Sequence, residues 1–384
     1  MDFSEFQWKT LNFLAYFATT TNQIEKLKSG KYVPKPIPEI ALWFYRICIV
    51  NAMAKTLFIA LLVTDYYGPI LFEDKIVALD YLLIIGVVTI TWSMYFNRYP
   101  LYEIIGSTWE VLNKAFLGLK CEDKVRQKVD FTQKMIVLAD LCIFGIGGIS
   151  ISMQYFSYPK YCAFTYSIIE TDNMPLRLVF FAHEFMSTDL GWIMYFAGIS
   201  IALHECISIS SILDQMTERL NSLTDNSKDR QNEFDYLIHN FKMLTILCNQ
   251  INETIAFKTL LLHIIAGCQF VSDVYAATHI IKLPGATFTD VQFFIEDGIL
   301  GAFAMLRTYL FMSRMAPASA RFLKGFKTFT MRINESPQQV RRLRRRIRSL
   351  KVISLKVGPC HVPTEAMLSV LDKMTTYFVA AALW

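Results

Sequence analysis

Seven long apolar stretches recur along the chain, and each is close to the length of about 20 residues that a helix needs to cross a bilayer. Polar connections separate them, so the pattern predicts an all-α, polytopic membrane protein with seven transmembrane helices. The last stretch begins with a helix start signal, because Thr364 follows Pro363 and Glu365 lies in the first turn. The predicted spans are residues 41–63, 76–96, 134–154, 188–213, 257–281, 291–312 and 364–384.

Lys and Arg residues are distributed unequally between the two sets of connections. One set holds 28 of them and the other holds four, and basic residues accumulate in cytosolic connections. The basic set consists of residues 1–40, 97–130, 214–256 and 313–362, and the other set consists of residues 64–75, 155–187 and 282–290. The pattern predicts a cytosolic N-terminus and an extracellular C-terminus, which is the reverse of a G-protein-coupled receptor.

Two of the predicted cytosolic connections keep a helical pattern of apolar residues. Leu213, Met216 and Leu220 continue the fourth span at helical spacing. Leu237 and Leu244 lead into the fifth span in the same way. We therefore expect helices that project below the membrane.

The aromatic N-terminal segment predicts a short interfacial or re-entrant helix. A linker that carries lysines and prolines follows it and leads to the first span.

The composition agrees with a membrane protein and excludes several other classes. Hydrophobic residues make up 53% of the 384 residues and charged residues only 18%, which is too apolar for soluble domains. No catalytic signature such as H-E-x-x-H or G-x-S-x-G is present, so we expect neither an enzyme nor a cofactor. The eight cysteines form no C-x-x-C motif and indicate neither a metal site nor a disulfide framework.

The basic run at 341–348 also bears on function. Directly before a membrane span it favours membrane topology and contact with anionic membrane lipids, and no nucleic-acid partner is expected.

Ionisable residues lie inside several of the predicted spans. The last span contains Asp372 and Lys373, and such groups at membrane depth mark functional sites by default because they are costly to bury. We expect Asp372 to neutralise Lys373. The fourth span contains His204 and Glu205, which we interpret as structural. The acidic residues near the outer interface are expected to be solvated, and they are Asp80, Glu296 and Asp297.

The C-terminal stretch resembles the insect odorant receptor family. Residues 350–378 run from Leu-Lys-Val-Ile-Ser-Leu-Lys-Val-Gly to Asp-Lys-Met-Thr-Thr-Tyr-Phe, the order of a basic helix, a Val-Gly turn and a final pore helix with a tyrosine. Residues 237–253, which include His239, are similar to the same family's region before the fifth span. The resemblance covers about the last 40% of the chain by motif and the whole chain by length and topology.

The resemblance implies an odorant-tuning subunit of a ligand-gated, non-selective cation channel in the plasma membrane. It implies a heterotetramer with an odorant co-receptor subunit and a small volatile organic molecule as ligand. The implied organisation is a cytosolic N-terminal segment (1–40), spans one to six with the ligand pocket and the projecting helices (41–312), a cytosolic anchor segment (313–362) and a pore-lining helix (363–384).

The implied sites fall on the outer halves of four spans and on the last helix. The predicted ligand-binding residues are Tyr81, Ile84, Phe144, Gly148, Ser152, Tyr155, Trp192, Tyr195, Ile199, Ile295, Ile299 and Phe303. The predicted pore and gate residues are Asp372, Lys373, Thr376, Tyr377, Ala380 and Trp384.

The predicted gate departs from the family pattern. The family's gate residues are usually Val- or Leu-like, whereas Ala380 and Trp384 stand here, and Leu383 replaces a Gln of the co-receptor. A pore-facing Lys373 repels cations. We therefore expect either that Asp372 neutralises it or that the co-receptor copies dominate conduction, and we expect a tetramer of this chain alone to conduct poorly.

The alternative is a gustatory receptor of the same superfamily that forms a homotetrameric, tastant-gated channel. That branch shares the Thr376-Tyr377 pair, but its final Gln-Phe is Leu-Trp here.

Overall fold

The computed structural model describes residues 5–16, 20–64, 75, 78–79, 82–118, 127–140, 142, 174–223, 230–332, 337–363 and 365–383. This part of the chain is mostly helical, with two short β-hairpins. In chain order the helices are α1 (Glu5–Tyr16), α2 (Glu39–Val63), α3 (residues 82–96), α4 (Tyr99–Gly118), α5 (residues 127–140), α6 (Met174–Ser222), α7 (Arg230–Ile280), α8 (Phe288–Met312), α9 (Met315–Arg332), α10 (Pro337–Arg348) and α11 (Ala366–Leu383).

The helices follow the predicted apolar stretches closely. Within the described residues, three helical stretches are long and apolar enough to cross a membrane, and they are Glu39–Leu61, Gly191–Ser222 and Asn232–Ile280. Helices α8 and α11 cover the predicted sixth and seventh spans, while the second and third spans are described only in part. The helical class is therefore confirmed, and the count of seven spans and their orientation stay predictions.

Helix α3 departs from regular α-helical geometry. Its segments Leu82–Val88 and Trp92–Phe96 are π-helical and flank a short α-helical segment at Thr89–Thr91. Gly86 lies against α2, where an added Cβ would stand 2.5 Å from the Thr56 methyl group. Only a residue without a side chain allows this approach, so Gly86 fixes how closely α3 packs on α2.

Helices α6 and α7 are far longer than a bilayer requires. They contain 49 and 51 residues, which corresponds to about 75 Å each, roughly twice the thickness of a bilayer core. Helix α6 extends past its predicted span at both ends, and α7 extends past its span at the Arg230 end. The ion pair between Arg219 and Glu233 joins the two helices there. The predicted helical continuations of the fourth and fifth spans are therefore present, and their position below the membrane stays a prediction.

The ends of α6 and α7 pack with two further helices in a four-helix bundle, which we call the projecting bundle. It consists of α6 from residue 213, α7 up to residue 256, α9 and α10. Phenylalanine rings fill its centre. Phe241 stacks on Phe322 at 5.2 Å between ring centroids, and Phe322 meets Phe326 edge to face at 4.7 Å. Phe326 also meets Phe234 at 4.6 Å. Aromatic pairs of this kind bury a large apolar area and hold α7 against α9.

The basic helix α10 lies at the far end of the projecting bundle. Arg346 donates a hydrogen bond to the Asp235 carboxylate at 2.6 Å. Asp235 lies about 22 residues before the predicted start of the fifth span, which corresponds to about 33 Å along α7. The ion pair thus fixes α10 against the start of α7. The expected contact of the 341–348 run with membrane lipids stays a prediction.

The chain then returns along α7 to the last span. The main-chain N–H of Lys356 donates to Asn252 Oδ1 at 2.8 Å, and the N–H of Gly358 donates to the Ala256 carbonyl at 2.8 Å. The hairpin of β3 (Lys356–Val357) and β4 (Cys360–His361) turns at Gly358, whose φ of 60° lies in the left-handed region. The Val-Gly turn of the sequence motif thus has a physical cause, since glycine adopts this conformation without strain.

The N-terminal linker is more ordered than predicted. Residues expected to form a loose proline-rich connection instead form an antiparallel hairpin of β1 (Asn22–Lys26) and β2 (Tyr32–Pro36). Proline is tolerated there because β2 is an edge strand. Tyr32 packs edge to face on Trp109 of α4, with 5.4 Å between ring centroids, so the hairpin is part of the hydrophobic core. In chain order, this hairpin lies between α1 and α2, and the hairpin of β3 and β4 lies between α10 and α11.

Candidate functional site

The last helix, α11, is covered on one face only. Ala366 is buried, and Val370 and Met374 are half-buried, but most of the remaining surface is exposed. The exposed positions include Asp372 and Thr376 in a helix that is otherwise apolar enough for a bilayer. Because a carboxylate in contact with hydrocarbon is costly, this surface requires either a water-filled lumen or another protein chain.

The side chains of α11 differ in how much they need that polar environment. The hydroxyl of Thr376 donates to the Asp372 carbonyl at 2.8 Å, and the hydroxyl of Thr375 donates to the Leu371 carbonyl at 2.9 Å. These hydroxyls are thus satisfied within the helix. The Asp372 carboxylate has no such internal partner among the described residues, so Asp372 is the group that most requires water.

Within the described residues, no ion pair joins Lys373 to its neighbour Asp372. That Asp372 neutralises Lys373 in the assembled channel stays a prediction. Successive residues of an α-helix point about 100° apart, so their charged ends diverge. Lys373 instead borders a groove together with Tyr377 and Ala380.

This groove lies between α7, α8 and α11 and has a volume of about 940 Å³. Its walls are mainly apolar, and they include Gly267 of α7 and Met305 of α8. His263 and Tyr309 add polar groups and contact each other edge to face, with 5.1 Å between ring centroids. The volume and the lining are those of a small-molecule site.

A second cluster lies on α6 and consists of buried aromatic rings. Trp192 stacks on Phe196 at 5.6 Å between ring centroids, and Tyr195 meets both of them edge to face. The Tyr195 hydroxyl has no hydrogen-bond partner in the described residues. A hydroxyl in an apolar environment without a partner is a candidate contact for a polar atom of a ligand.

An ion pair closes one side of the aromatic cluster. Arg307 of α8 binds Asp140 of α5, and the side chains of both are more than 90% buried. Ser200 of α6 donates to the second oxygen of Asp140 at 2.8 Å. The Arg307 guanidinium also lies 5.0 Å from the centroid of Phe196, a cation–π contact. The group ties α5, α6 and α8 together.

The sequence prediction did not include this ion pair, although a signal was available. Asp140 and Arg307 are charged residues inside apolar stretches, and such charges in membrane helices usually pair with one another. The sequence does not show which acid meets which base, since the two residues are 167 positions apart.

The His204–Glu205 pair, interpreted as structural, lies about two helical turns before the projecting bundle. Both residues are buried, and the Trp109 indole N–H donates to Glu205 Oε1 at 3.0 Å. Glu205 therefore connects α6 to α4 and, through Trp109, to the N-terminal hairpin.

The predicted ligand-binding residues occupy different surroundings. Trp192, Tyr195 and Ile199 are buried together on α6. On α8, Ile295, Ile299 and Phe303 are 37%, 61% and 39% exposed, so they face outward in a single chain. Of Ile84 the structure describes only the backbone. Outside the described residues lie Tyr81, Phe144, Gly148, Ser152, Tyr155 and, on the last helix, Trp384.

One of the acidic residues expected at the outer surface is not solvated. Asp297 is 6% exposed and accepts a hydrogen bond from Gln269 of α7 at 2.9 Å. The expectation of a solvated Asp297 is therefore wrong, because the carboxylate faces α7 rather than water. Glu296 is half-buried and accepts from Gln292 at 2.7 Å, and Asp80 lies outside the described residues.

The fold as a whole is similar to that of solved olfactory receptor structures. The olfactory receptor OR5 of the insect Machilis hrabei in complex with eugenol matches with a TM-score of 0.72 and 10% sequence identity, over 99% of each chain. A further structure of that receptor matches with a TM-score of 0.73 and 11% identity, again over 99% of each chain. No protein-family model matches the sequence, and no curated protein matches it either.

These similarities define the fold of this chain as that of an insect olfactory receptor. The resemblance inferred from residues 350–378 is thereby confirmed at the level of the fold. The match extends over nearly the whole chain, so it includes the N-terminal hairpin, the projecting bundle and the last helix alike.

Proposed function

We propose that this chain is an odorant-tuning subunit of a ligand-gated, non-selective cation channel. The observation that carries the proposal is the exposed face of α11, where Asp372 requires water on a membrane-length helix. A lumen shared by several last helices would supply that water, and a carboxylate at its wall favours cations. The fold it shares with an olfactory receptor supports the same function.

The ligand class follows from the character of the predicted pocket. The described part of it, on α6, offers stacked aromatic rings and one hydroxyl without a partner, at Tyr195. Such a site suits a small, mostly apolar molecule with one polar atom, and volatile odorants have this chemistry. The similar receptor from Machilis hrabei was solved in complex with eugenol, which supports a small-molecule ligand here.

The proposed assembly is a heterotetramer with an odorant co-receptor subunit in the plasma membrane. The resemblance of residues 350–378 to the odorant receptor family supports a mixed assembly, because that resemblance implies a tuning subunit that assembles with a co-receptor. The resemblance to the gustatory branch at Thr376 and Tyr377 makes a homotetrameric tastant receptor the alternative.

Whole-cell current separates the two functions. The chain is expressed alone and with the insect odorant co-receptor, and the co-receptor is expressed alone as the control. Each is tested against a panel of volatiles that includes eugenol and against a panel of sugars and bitter compounds. We expect a volatile-gated, non-selective cation current only when both subunits are present and with a ligand profile absent from the co-receptor alone. Tastant-gated current from this chain by itself would establish the gustatory alternative and refute the proposal.

A further inference from the structure

The groove beside α11 is charged at one end only. At the end nearest the projecting bundle, which we call the polar end, it is lined by Ser369 and Lys373 of α11 and by His263 of α7. The opposite end holds no charged side chain among the described residues, and its lining is Leu79, Val271, Ala380, Ser272, Tyr275 and Tyr377. The groove therefore has a place for a charged head group at one end and uncharged walls for a tail along the rest.

The length of the groove also fits a chain-like molecule. From Ser369 to Ala380 the lining extends over about 11 residues of α11, which corresponds to about 17 Å. An extended chain of twelve carbon atoms spans about 14 Å, since each carbon–carbon bond of about 1.5 Å advances the zigzag chain by about 1.3 Å, so it fits within this length. With a volume of about 940 Å³, the groove has room for one such chain.

The charge of the lining residues determines which kind of head group the groove can bind. Lys373 is the one Lys, Arg, Asp or Glu among the described residues that line the groove, and within the described residues it makes no ion pair. Ser369 and Lys373 are four residues apart on α11, so both side chains lie on the same face of the helix at the polar end. An ammonium group at membrane depth is costly unless an anion pairs with it, and the Ser369 hydroxyl adds a second donor beside it.

We propose that this groove binds a single-chain carboxylate amphiphile of the fatty-acid type. Its carboxylate pairs with Lys373 at the polar end, and its alkyl chain follows α7 and α11 toward Leu79 and Ala380. This site is distinct from the aromatic cluster on α6, and the inference concerns binding alone. Its test measures no ion current, so the result is independent of the proposed channel function.

The test uses the purified full-length chain in nanodiscs of zwitterionic lipid. The probe is a twelve-carbon fatty acid that carries a photoreactive diazirine near the end of its tail, and adducts are located by peptide mass spectrometry. We expect saturable labelling within residues 264–275 or 377–380. Dodecanoic acid should compete for this labelling at least about tenfold better than its uncharged methyl ester, because the ester cannot pair with Lys373.

Matched variants assign the head-group contact. The K373Q variant should need at least about tenfold more probe for half-maximal labelling, while K373R keeps the charge and should bind like the unmodified chain. K282Q removes a lysine from the exposed loop after α7 and should change nothing.

Two outcomes would overturn the proposal. Equal competition by the ester, which needs no variant to fold, would indicate a groove filled by membrane lipid tails. Absence of saturable labelling would favour a second protein chain against this face.

Discussion

Replacing Asp140 with Asn is expected to lower the free energy of unfolding of this chain by about 3 kcal/mol or more. The substitution leaves the buried Arg307 guanidinium without its counter-charge, and a single charge left in such a site costs about 3–5 kcal/mol. Asn retains a hydrogen-bond acceptor for Ser200. The loss of stability therefore measures the removal of the carboxylate charge and not the removal of the hydrogen bond. The measurement is the thermal stability of the purified chain, monitored by fluorescence-detected size exclusion.

Two controls make this result specific. E110Q removes one partner of an exposed ion pair with Lys114, where the N–O distance is 2.7 Å, and should cost between about 0 and 1 kcal/mol. The double variant D140L/R307M replaces both charges with apolar groups and should recover most of the lost stability, since neither charge then remains unpaired. If the double variant is instead as unstable as D140N or less stable, the pairing of the two charges is not what stabilises the contact between α5 and α8.

Replacing Phe322 with Ala in the projecting bundle is expected to cost about 3–5 kcal/mol. The Phe322 side chain is fully buried, and its ring contacts Phe241 of α7 and Phe326 of its own helix, α9. Its removal leaves a cavity at the point where α7 and α9 meet. We expect lower thermal stability and less assembled complex with the co-receptor, measured by size exclusion of the co-expressed subunits.

The matched control for this variant lies on the same bundle. Ile246 of α7 is 54% exposed, and I246A should change stability by a small amount because little packing is lost. F322L keeps most of the apolar volume and should fall between the two. Equal behaviour of F322A and I246A would mean that the aromatic centre does not hold the bundle together.

The sequence predicts the helices well because their pattern is strong. Long apolar stretches and the continued periodicity from Leu213 and Leu237 specify where α6 and α7 run and that they extend beyond the membrane. The N-terminal hairpin was not predicted, because prolines at 34 and 36 are typical of a linker. The sequence does not show the tertiary partner, Trp109, that holds Tyr32 and the edge strand in place.

The sequence predicts the candidate site less well than it predicts the helices, and the reason is physical. Proximity in the chain suggested that Asp372 pairs with Lys373, yet helix geometry directs neighbours apart, and Lys373 borders a groove. The pair that does form, Asp140 with Arg307, depends on how three separate helices pack. Helical periodicity reports which face a residue occupies but not which helix lies opposite.

Cysteine accessibility tests most directly whether the exposed face of α11 lines the path of the ions. Single cysteines are placed at Asp372, Thr376 and Val379 of this chain, which is co-expressed with the co-receptor. A positively charged, thiol-reactive methanethiosulfonate is then applied from outside during ligand-gated current. We predict irreversible loss of current at these positions, and none in the unmodified chain or with a cysteine at buried Ala366. Full current after treatment at all three exposed positions, with labelling of the thiols verified, would contradict a pore lined by α11.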